Sequence, residues 1–373
     1  MTSKDLIMQS LDKNGMNDIM VHEISDKEDQ KNIWQEYVNH HPDSTAYHSI
    51  CWRNIFEKSF GYRTWYLLAQ ERRRNRVVGC LPLFFVSSPI SARLVSVPFR
   101  DRGGLLWDTA EAHDLLLGKA KEILKQIGAS FIELKSLRPY PPNLVESFGL
   151  KECFYWVHSY ADLRGLDMEK FVKKIGAKTR NMIRQANKAA LVFEDVTGLD
   201  KGVAEWYKLH LVSQKNLGLP PFPLKYFKIM VQELSKTNEI KIFLTRKNNE
   251  YLAATIILLH KNIGIYGYSA SSKIGQTFRS NDFMVFNTIN WLIDNGFEGF
   301  DMGSDAPDQK RLLFFKKKWL TKQDVIPIYA YGNVNHWISN SSDKQFVLAR
   351  KCVRYLPIIL LRYFGGITVK YFG

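Results

Sequence analysis

The sequence predicts an α/β (α+β) protein built of two tandem units, each with a mixed, mostly antiparallel sheet flanked by helices. The order hairpin, strand, helix, strand occurs twice, first within residues 66–137 and again within residues 240–302. The chain of 373 residues is long enough for two domains, and its hydrophobic content of 45% is that of a globular protein. We therefore expect an internal duplication of one unit.

The first unit begins with two predicted helices, residues 26–37 and residues 49–60. In the second of these, Trp52, Ile55 and Phe56 recur at helical spacing, which indicates a buried face. The elements expected after them are a hairpin (WYLLAQ and VVGCLPLFFVS), a strand (RLVSVPF), a helix (residues 115–127) and a final strand (FIELKSL).

The second unit repeats this order after a basic connecting segment. Its predicted elements are helices at 168–175, 178–190 and 205–217, a hairpin (IKIFLTR and YLAATIILLH), a strand (NIGIYGYSA), a helix (281–295) and a strand (FEGFDMG). The predicted divisions are a loosely ordered N-terminus (1–20), a first domain (21–160), a second domain that starts with basic helices (161–335) and a basic, apolar C-terminal tail (336–373).

The charge balance predicts anionic partners. The chain has 52 lysines and arginines against 37 acids, a net charge of +15, which suits nucleic acid, anionic lipid or phosphorylated small molecules. Four cysteines, at positions 51, 80, 153 and 352, show no paired spacing. We therefore expect no metal site, no disulfide and a reducing, cytoplasmic location.

Two segments bear on membranes. The N-terminal segment has no sustained apolar run, so no signal peptide is expected, and no window approaches the ~18 apolar residues that a span needs. We expect a protein that is soluble or at most peripheral. From Gln345 to Gly373 the tail carries five cations and no acid. Its apolar run, residues 356–361, is expected either to lie on an anionic membrane or to pack against the body.

The most informative stretch runs from Gly296 to Leu320. A predicted strand ends at Asp301-Met302, and Gly303-Ser304-Asp305 predicts a turn. Six cations and no acid follow between Lys310 and Lys322, interleaved with aromatic residues. A strand-end carboxylate facing a lysine cluster is a plausible active-site wall; the alternative is a solvated basic loop.

A second basic stretch lies between the units, with eight cations and two acids from Arg164 to Lys188. Lys178, Arg180 and Arg184 are expected near the start of a helix and along its polar face. A helix N-terminus with adjacent cations suits phosphate. The alternative is a solvated helix face.

The informative stretch resembles the C-terminal signature of the Fem-type aminoacyltransferases and their FemAB-like relatives in the GNAT acyltransferase superfamily. The residues that carry the resemblance are Phe300-Asp301-Met302-Gly303 and Phe315-Lys316, with Trp319 nearby. Two positions depart from the pattern: Leu320 stands where the family usually has glycine, and Ser304 where an arginine is common.

Other motifs extend the resemblance over most of residues 45–320. LVSVPFRDRGG is similar to the Pro-Phe-x-x-x-Gly-Gly turn of the first domain, and Lys178–Arg184 to the inter-repeat Lys-x-Arg-x-x-Ile-Arg. Ser280–Met284 resembles the start of the helix before the signature strand. The resemblance implies two tandem GNAT-like domains.

The family forms amide bonds, so the resemblance implies an acyltransferase with acyl-CoA or aminoacyl-tRNA as co-substrate and no bound cofactor. The amine acceptor would belong to a peptidoglycan, polysaccharide or amino-sugar precursor of the cell envelope. No Gly-rich pyrophosphate loop of CoA-binding GNAT proteins is present, which favours a non-CoA donor or a degenerate CoA site. The expected substrate-binding residues are Lys178, Arg180, Arg184, Asn281, Asp282, Phe315, Lys317 and Trp319.

The expected mechanism is direct attack of the amine on the activated carbonyl, because no Cys–His or Ser–His arrangement is visible. Lys316 is expected to stabilise the developing oxyanion, held in place by Phe315. Asp301 is expected to accept the proton or orient the acceptor; the alternative is that it caps the Gly303 turn.

The competing hypothesis is a non-catalytic protein on the same scaffold. Its basic face would bind nucleic acid or anionic membrane with a steep dependence on salt and no selectivity among acyl donors.

Overall fold

A computed structural model describes residues 18–88, 91–334 and 344–373. Most of the N-terminal segment predicted to be loosely ordered, and the first part of the predicted C-terminal tail, lie outside these ranges. The first half contains β1 (Ile19–Glu23), α1 (Glu28–His40), α2 (Cys51–Phe60), β2 (Arg63–Glu71), β3 (Val77–Ser87), β4 (Ala92–Val95), β5 (Leu106–Trp107), α3 (Ala110–Ile127), β6 (Phe131–Lys135), α4 (Pro142–Ser147) and β7 (Lys151–Asp162).

The second half has the same succession of a hairpin, a strand, a helix and a strand. Its elements are α5 (Met168–Lys174), α6 (Ala177–Lys188), β8 (Val192–Asp195), α7 (Asp200–Leu217), α8 (Leu224–Ser235), β9 (Ile240–Lys247), β10 (Glu250–His260), β11 (Ile263–Ser271), α9 (Lys273–Thr277), α10 (Ser280–Asp294), β12 (Gly299–Asp305), α11 (Lys310–Lys317), β13 (Lys322–Gly332), α12 (Lys344–Tyr355) and α13 (Ile358–Thr368).

The strands form one continuous sheet with the order β1-β2-β3-β4-β6-β13-β7-β12-β11-β10-β9-β8, and β5 pairs with β3. Each half contains one parallel pair, β4 with β6 and β11 with β12, connected through a helix. The remaining pairs are antiparallel, so the prediction of two mixed, mostly antiparallel units is confirmed.

The two halves exchange a strand at the centre of the sheet. β7, the last strand of the first half, pairs with β12 of the second, and β13 returns to pair with β6 of the first. β7 and β13 also pair with each other, from Lys322 opposite Tyr160 to Ala330 opposite Lys151. Neither β7 nor β13 was predicted from the sequence. Because of the exchange, each predicted domain range contains a strand that is hydrogen-bonded into the other half.

The helix α3 illustrates how local sequence sets an element. It begins after Thr109, whose side chain accepts a hydrogen bond from the Ala112 N–H, and it ends at Gly128 with φ 67°. Leu116 and Ala120 lie on its buried face against the sheet. The structure extends this helix five residues before the predicted start, because the Thr109 cap fixes its first turn.

A hydrophobic core on one face of the sheet belongs to both halves. It joins Trp52 and Phe56 of α2 to Trp206 of α7 and to Tyr226 and Phe227 of α8. The rings of Phe56 and Tyr226 stack with centroids 6.0 Å apart. The halves therefore share a core, whereas the chain length alone suggested that each could bury its own.

The stretch from Gly296 to Leu320 differs from the sequence prediction in one element. The basic segment after residue 309, for which a solvated loop was the alternative, is the helix α11, with Lys316 buried. The predicted turn at Gly303-Ser304-Asp305 is the end of strand β12. Within the described residues, no helix is long and apolar enough to cross a membrane, and no group of three or more His, Cys, Asp or Glu side chains is placed to hold a metal ion.

Candidate active site

The candidate site lies where β11 and β12 diverge. Their parallel pairing covers only Ile263–Ile265 against Gly299–Asp301. Beyond it β11 continues to Ser271, while β12 continues to Asp305 paired with β7 on its other side. A wedge therefore opens between two neighbouring strands, whose facing edges no longer pair with each other.

A β-bulge shapes the β12 side of this wedge. The register with β7 shifts between Asp301 and Ser304, and Gly303 has φ 72°. Glycine adopts this left-handed conformation without a steric penalty, and such bulges redirect the side chains that follow. The residues predicted to form a turn thus stay in the strand and face the cavity.

The wedge opens into a cavity of about 660 Å³ to which both halves contribute. This volume lies within the range typical of small-molecule sites. The lining residues are, from the first half, Tyr47, Phe99, Arg100, Asp101 and Trp156, and from the second half, Ser213, Tyr266, Gly267, Ser269, Ala270, Ser271, Asn281, Met302, Gly303, Ser304, Asp305, Leu312, Phe315 and Lys316.

A buried ion pair joins Lys316 of α11 to Asp305 of β12 at the cavity wall. Lys316 Nζ lies 2.6 Å from Asp305 Oδ2 and donates to the Gly303 carbonyl at 3.2 Å. Burial raises the pKa of Asp305, and the nearby Lys316 ammonium offsets this only in part. The wall therefore presents a cation beside a carboxylate of increased basicity.

Asp301 lies behind this wall and does not line the cavity. Its Oδ1 accepts from the Gly303 N–H at 2.7 Å and contacts His158 Nε2 at 2.9 Å, and its Oδ2 accepts from Arg102. Burial alone would raise the pKa of Asp301, but Arg102 and His158 outweigh it and hold that pKa well below its usual range. A carboxylate with these partners is a weak base and a firm support for the bulge.

Arg100 places a second positive charge at the cavity. It is 8% exposed, its Nη2 donates to the Tyr226 hydroxyl at 2.5 Å, and its guanidinium lies over the rings of Tyr268, Trp52 and Tyr47 at 4.5, 5.1 and 5.4 Å. Within the described chain its Nε has no hydrogen-bond partner and no carboxylate forms an ion pair with it. A buried charge without a counter-ion suits an anionic substrate group.

The equivalent wedge of the first half is filled by its own chain. β4 and β6 pair in parallel over three residues, ending at Val95 and Glu133. Lys135 closes the gap beyond them, because its Nζ donates to the Val97 carbonyl at 3.0 Å and its N–H donates to Ser96 Oγ at 3.1 Å. Gly104 also packs there, since a Cβ atom on it would lie 2.6 Å from the Lys135 carbonyl. Of the two wedges, the second-half one is open.

Three of the predicted site residues meet at the cavity: Lys316, Phe315 and Asn281. Two others are buried elsewhere. Trp319 belongs to the hydrophobic core beneath α11, and Asp282 forms an ion pair with Lys318.

Four cations predicted to bind substrate do not line the cavity. Lys178 and Arg184 are exposed on α6, and Lys317 is exposed on α11. Arg180 donates to carbonyl groups at the end of α5, among them that of Ile175, so its guanidinium stabilises the α5–α6 corner. These residues do not share a site with Lys316.

Sequence reasoning missed Asp305, Arg100 and Asp101 at the cavity. Asp305 lies between the two parts of the family signature, in the sequence Gly-Ser-Asp, which predicts a turn. Arg100 and Asp101 lie in the Pro-Phe-x-x-x-Gly-Gly segment, and the alternation of charges there is the only signal the sequence offers.

At Leu320 the structure explains the departure from the family pattern. Leu320 has φ 63°, the left-handed region that glycine adopts readily. The position keeps the conformation that suits the family's glycine, at a cost of about 1 kcal/mol for a residue with a side chain.

Residues 174–311 match the model of a family described as an acetyltransferase (GNAT) domain. The crystal structure of FemX is similar with a TM-score of 0.67 and 16% identity, covering 84% of this chain and 97% of that one. A tandem GNAT protein from the clavulanic acid biosynthesis pathway is similar with a TM-score of 0.56 and 10% identity, covering 84% and 98%.

The C-terminal domain of a putative lysylphosphatidylglycerol synthetase from Agrobacterium fabrum is similar with a TM-score of 0.54 and 14% identity, covering 82% of this chain and 92% of that one. No curated protein matches the chain. The structural likenesses confirm the predicted tandem GNAT fold. The match of residues 174–311 to an acetyltransferase domain confirms the predicted class of enzyme, an acyltransferase.

Proposed function

We propose that this acyltransferase of the tandem GNAT fold forms an amide bond on a primary amine of a cell-envelope or sugar precursor. The acyl or aminoacyl group would come from an activated, polyanionic donor, either an acyl-CoA thioester or an aminoacyl-tRNA ester. The observation that carries this proposal is the buried Lys316–Asp305 pair at the wall of the open cavity.

Asp305 is the proposed proton acceptor. Its raised pKa, caused by burial and offset only in part by the Lys316 charge, makes it a stronger base than an ordinary carboxylate. Asp301, the carboxylate favoured by the sequence, is instead proposed to position the bulge, because its oxygens are occupied by Gly303, His158 and Arg102.

Lys316 is the proposed oxyanion stabiliser, and its charge becomes available through the proton transfer itself. The amine nitrogen attacks the carbonyl carbon, and Asp305 takes the proton that the nitrogen loses. Once Asp305 is neutral, the Lys316 ammonium has lost its ion-pair partner just as negative charge develops on the carbonyl oxygen. The intermediate collapses by breaking the C–S or C–O bond to the donor, and Asp305 returns its proton to the leaving thiolate or alkoxide.

Arg100 is the proposed anchor for a carboxylate or phosphate of one substrate. Its planar guanidinium is held by Tyr226 and by aromatic rings, so it is oriented before a ligand arrives. The wedge edges on β11 and β12 suit an extended chain that contains amide groups, because they offer backbone hydrogen-bonding groups along its length.

The test is transfer of radiolabelled acyl groups from acetyl-CoA, longer acyl-CoAs and charged tRNA to a panel of amines, with wild-type protein and Lys316→Met. We expect one donor class to support transfer and the variant to lose at least about tenfold in turnover while it remains folded, as judged by a far-UV circular dichroism spectrum like that of the wild type. Lys310→Met, at an exposed position of the same helix, is the matched control and should retain wild-type turnover.

Two results would count against the proposal. Wild-type turnover in Lys316→Met would remove Lys316 from the mechanism. Absence of transfer from every donor, together with nucleic-acid or vesicle binding that fades steeply with salt, would favour the non-catalytic scaffold.

A further inference from the structure

The helix α13 presents an apolar surface to solvent. Its inward residues Leu361, Gly365 and Val369 are buried. The contact at Gly365 is close, since a Cβ atom there would lie 2.2 Å from the Pro221 carbonyl. A surface helix normally has its polar side chains on the opposite side.

The outward side of α13 instead carries Ile359, Leu360, Tyr363 and Ile367, and Ile359 and Tyr363 are 82% and 73% exposed. Tyr355, at the end of α12, is 88% exposed. We call these five side chains the apolar face. The four on α13 follow helical spacing along one side of that helix, so their exposure forms a continuous strip and not scattered single residues.

Exposed cations flank the apolar face. Lys351, Arg354 and Arg362 are exposed, and the sequence from Gln345 to Gly373 contains no acid. An apolar helix face edged by cations alone is complementary to the boundary between anionic lipid headgroups and acyl chains. α12 and α13 are 12 and 11 residues long, which is too short to cross a bilayer.

The helices are held to the body at both ends. Arg350 Nε donates to the Leu217 carbonyl at 3.2 Å, and the Tyr62 hydroxyl donates to the Lys370 carbonyl. The apolar face is therefore fixed in orientation. α12 and α13 pack on α7, the helix that contributes Ser213 to the cavity.

We propose that the apolar face docks the protein on an anionic membrane surface. A second copy of the chain fits less well. A two-fold dimer through this face would bring Lys351, Arg354 and Arg362 of each copy against the same cations of the other, with no acid in the segment to compensate them. Lipid phosphates supply that compensation.

The test is sedimentation of the full chain with vesicles of phosphatidylcholine alone and of phosphatidylcholine mixed with phosphatidylglycerol. We expect binding to the anionic vesicles, and a reduction of at least about tenfold in the partition coefficient for Ile359→Ser/Tyr363→Ser/Ile367→Ser. Val325→Ser, at an exposed apolar position of β13, is the matched control and should bind like wild type.

Lys351→Gln/Arg354→Gln should weaken binding to the anionic vesicles and leave the fraction bound to phosphatidylcholine vesicles unchanged. Because all these side chains are exposed, the variants should melt at the wild-type temperature. If the triple variant folds poorly, the single change Tyr363→Ser provides the same test, with an expected reduction of about threefold in the partition coefficient.

Equal binding of wild type and either serine variant, or no wild-type binding to anionic vesicles, would overturn the proposal. The proposal would also be overturned if the protein formed a dimer without lipid, the serine changes dissociated that dimer, and no vesicle binding were observed.

Discussion

Asp301 and Asp305 are two carboxylates on one strand whose surroundings move their pKa values in opposite directions. Burial raises the pKa of Asp305, and the Lys316 ammonium, which lowers it, offsets this rise only in part. Asp301 is also buried, but Arg102 and His158 hold its pKa well below the usual range. Neighbouring titratable groups whose pKa values are shifted apart often have different acid–base roles in a site. Asp305, with the raised pKa, is therefore the better candidate base.

This assignment predicts the pH dependence of turnover. A base must be ionised to work, so kcat/KM should fall as pH falls through the pKa of Asp305, which lies above the ordinary value of 3.8. Asp305→Asn should lower turnover at least about 100-fold and remove this acidic limb from the residual rate. The measurement is kcat/KM against pH, with Asp29→Asn on the exposed side of α1 as control. Protonation of the acceptor amine gives both proteins a limb at higher pH; a second, carboxylate limb that persists in Asp305→Asn would assign the base elsewhere.

At the scale of elements, the segment from Phe99 to Gly104 connects the halves at the site. Arg100 and Asp101 line the cavity, and Arg102 binds Asp301 of β12. Gly104 lets the segment pass close to β6, because any side chain there would meet the Lys135 backbone. The position of two cavity residues therefore depends on a glycine that touches no ligand.

Gly104→Ala should lower the free energy of unfolding by about 1–3 kcal/mol, because its Cβ would lie 2.6 Å from a backbone oxygen that cannot move independently. Gly118→Ala is the matched control. Gly118 lies within α3, and a Cβ atom added there would meet no other part of the protein within 4 Å. Because alanine favours the helix over glycine, Gly118→Ala should raise the free energy of unfolding by about 0.5–1 kcal/mol. The measurement is urea denaturation of both variants; equal effects would show that the close approach at Gly104 is unimportant.

For the whole molecule, the exchange of β7 and β13 makes the two halves parts of one sheet. Neither half can separate without breaking the pairing of β7 with β12 or of β13 with β6, and both halves contribute to the core around Trp52 and Trp206. The duplication visible in the sequence therefore does not predict two independent folding units.

We expect a single cooperative unfolding transition in urea. Tryptophan fluorescence, with buried tryptophans in both halves, and far-UV circular dichroism should give coincident midpoints. Two resolved transitions would contradict the structural coupling. The Val325→Ser variant, whose side chain is exposed on the exchanged strand β13, should keep the single transition.

The sequence by itself determined the duplication, the hairpin, strand, helix and strand of each repeat, the family resemblance, and three residues that line the cavity: Lys316, Phe315 and Asn281. These follow from local patterns, namely apolar periodicity and short motifs. The central strands β7 and β13 were not predicted, because their pairing partners are more than a hundred residues away in the chain.

Only the tertiary structure decided which carboxylate faces the cavity. A bulge at Gly303 keeps Asp305 in the strand beside Lys316, while long-range partners from the first half, Arg102 and His158, occupy Asp301. Likewise, Arg180 and Lys178 belong to one sequence motif, yet folding turns one toward backbone carbonyls and leaves the other exposed. Burial and the charges of distant residues set basicity and access, and neither quantity is encoded in a local stretch of sequence.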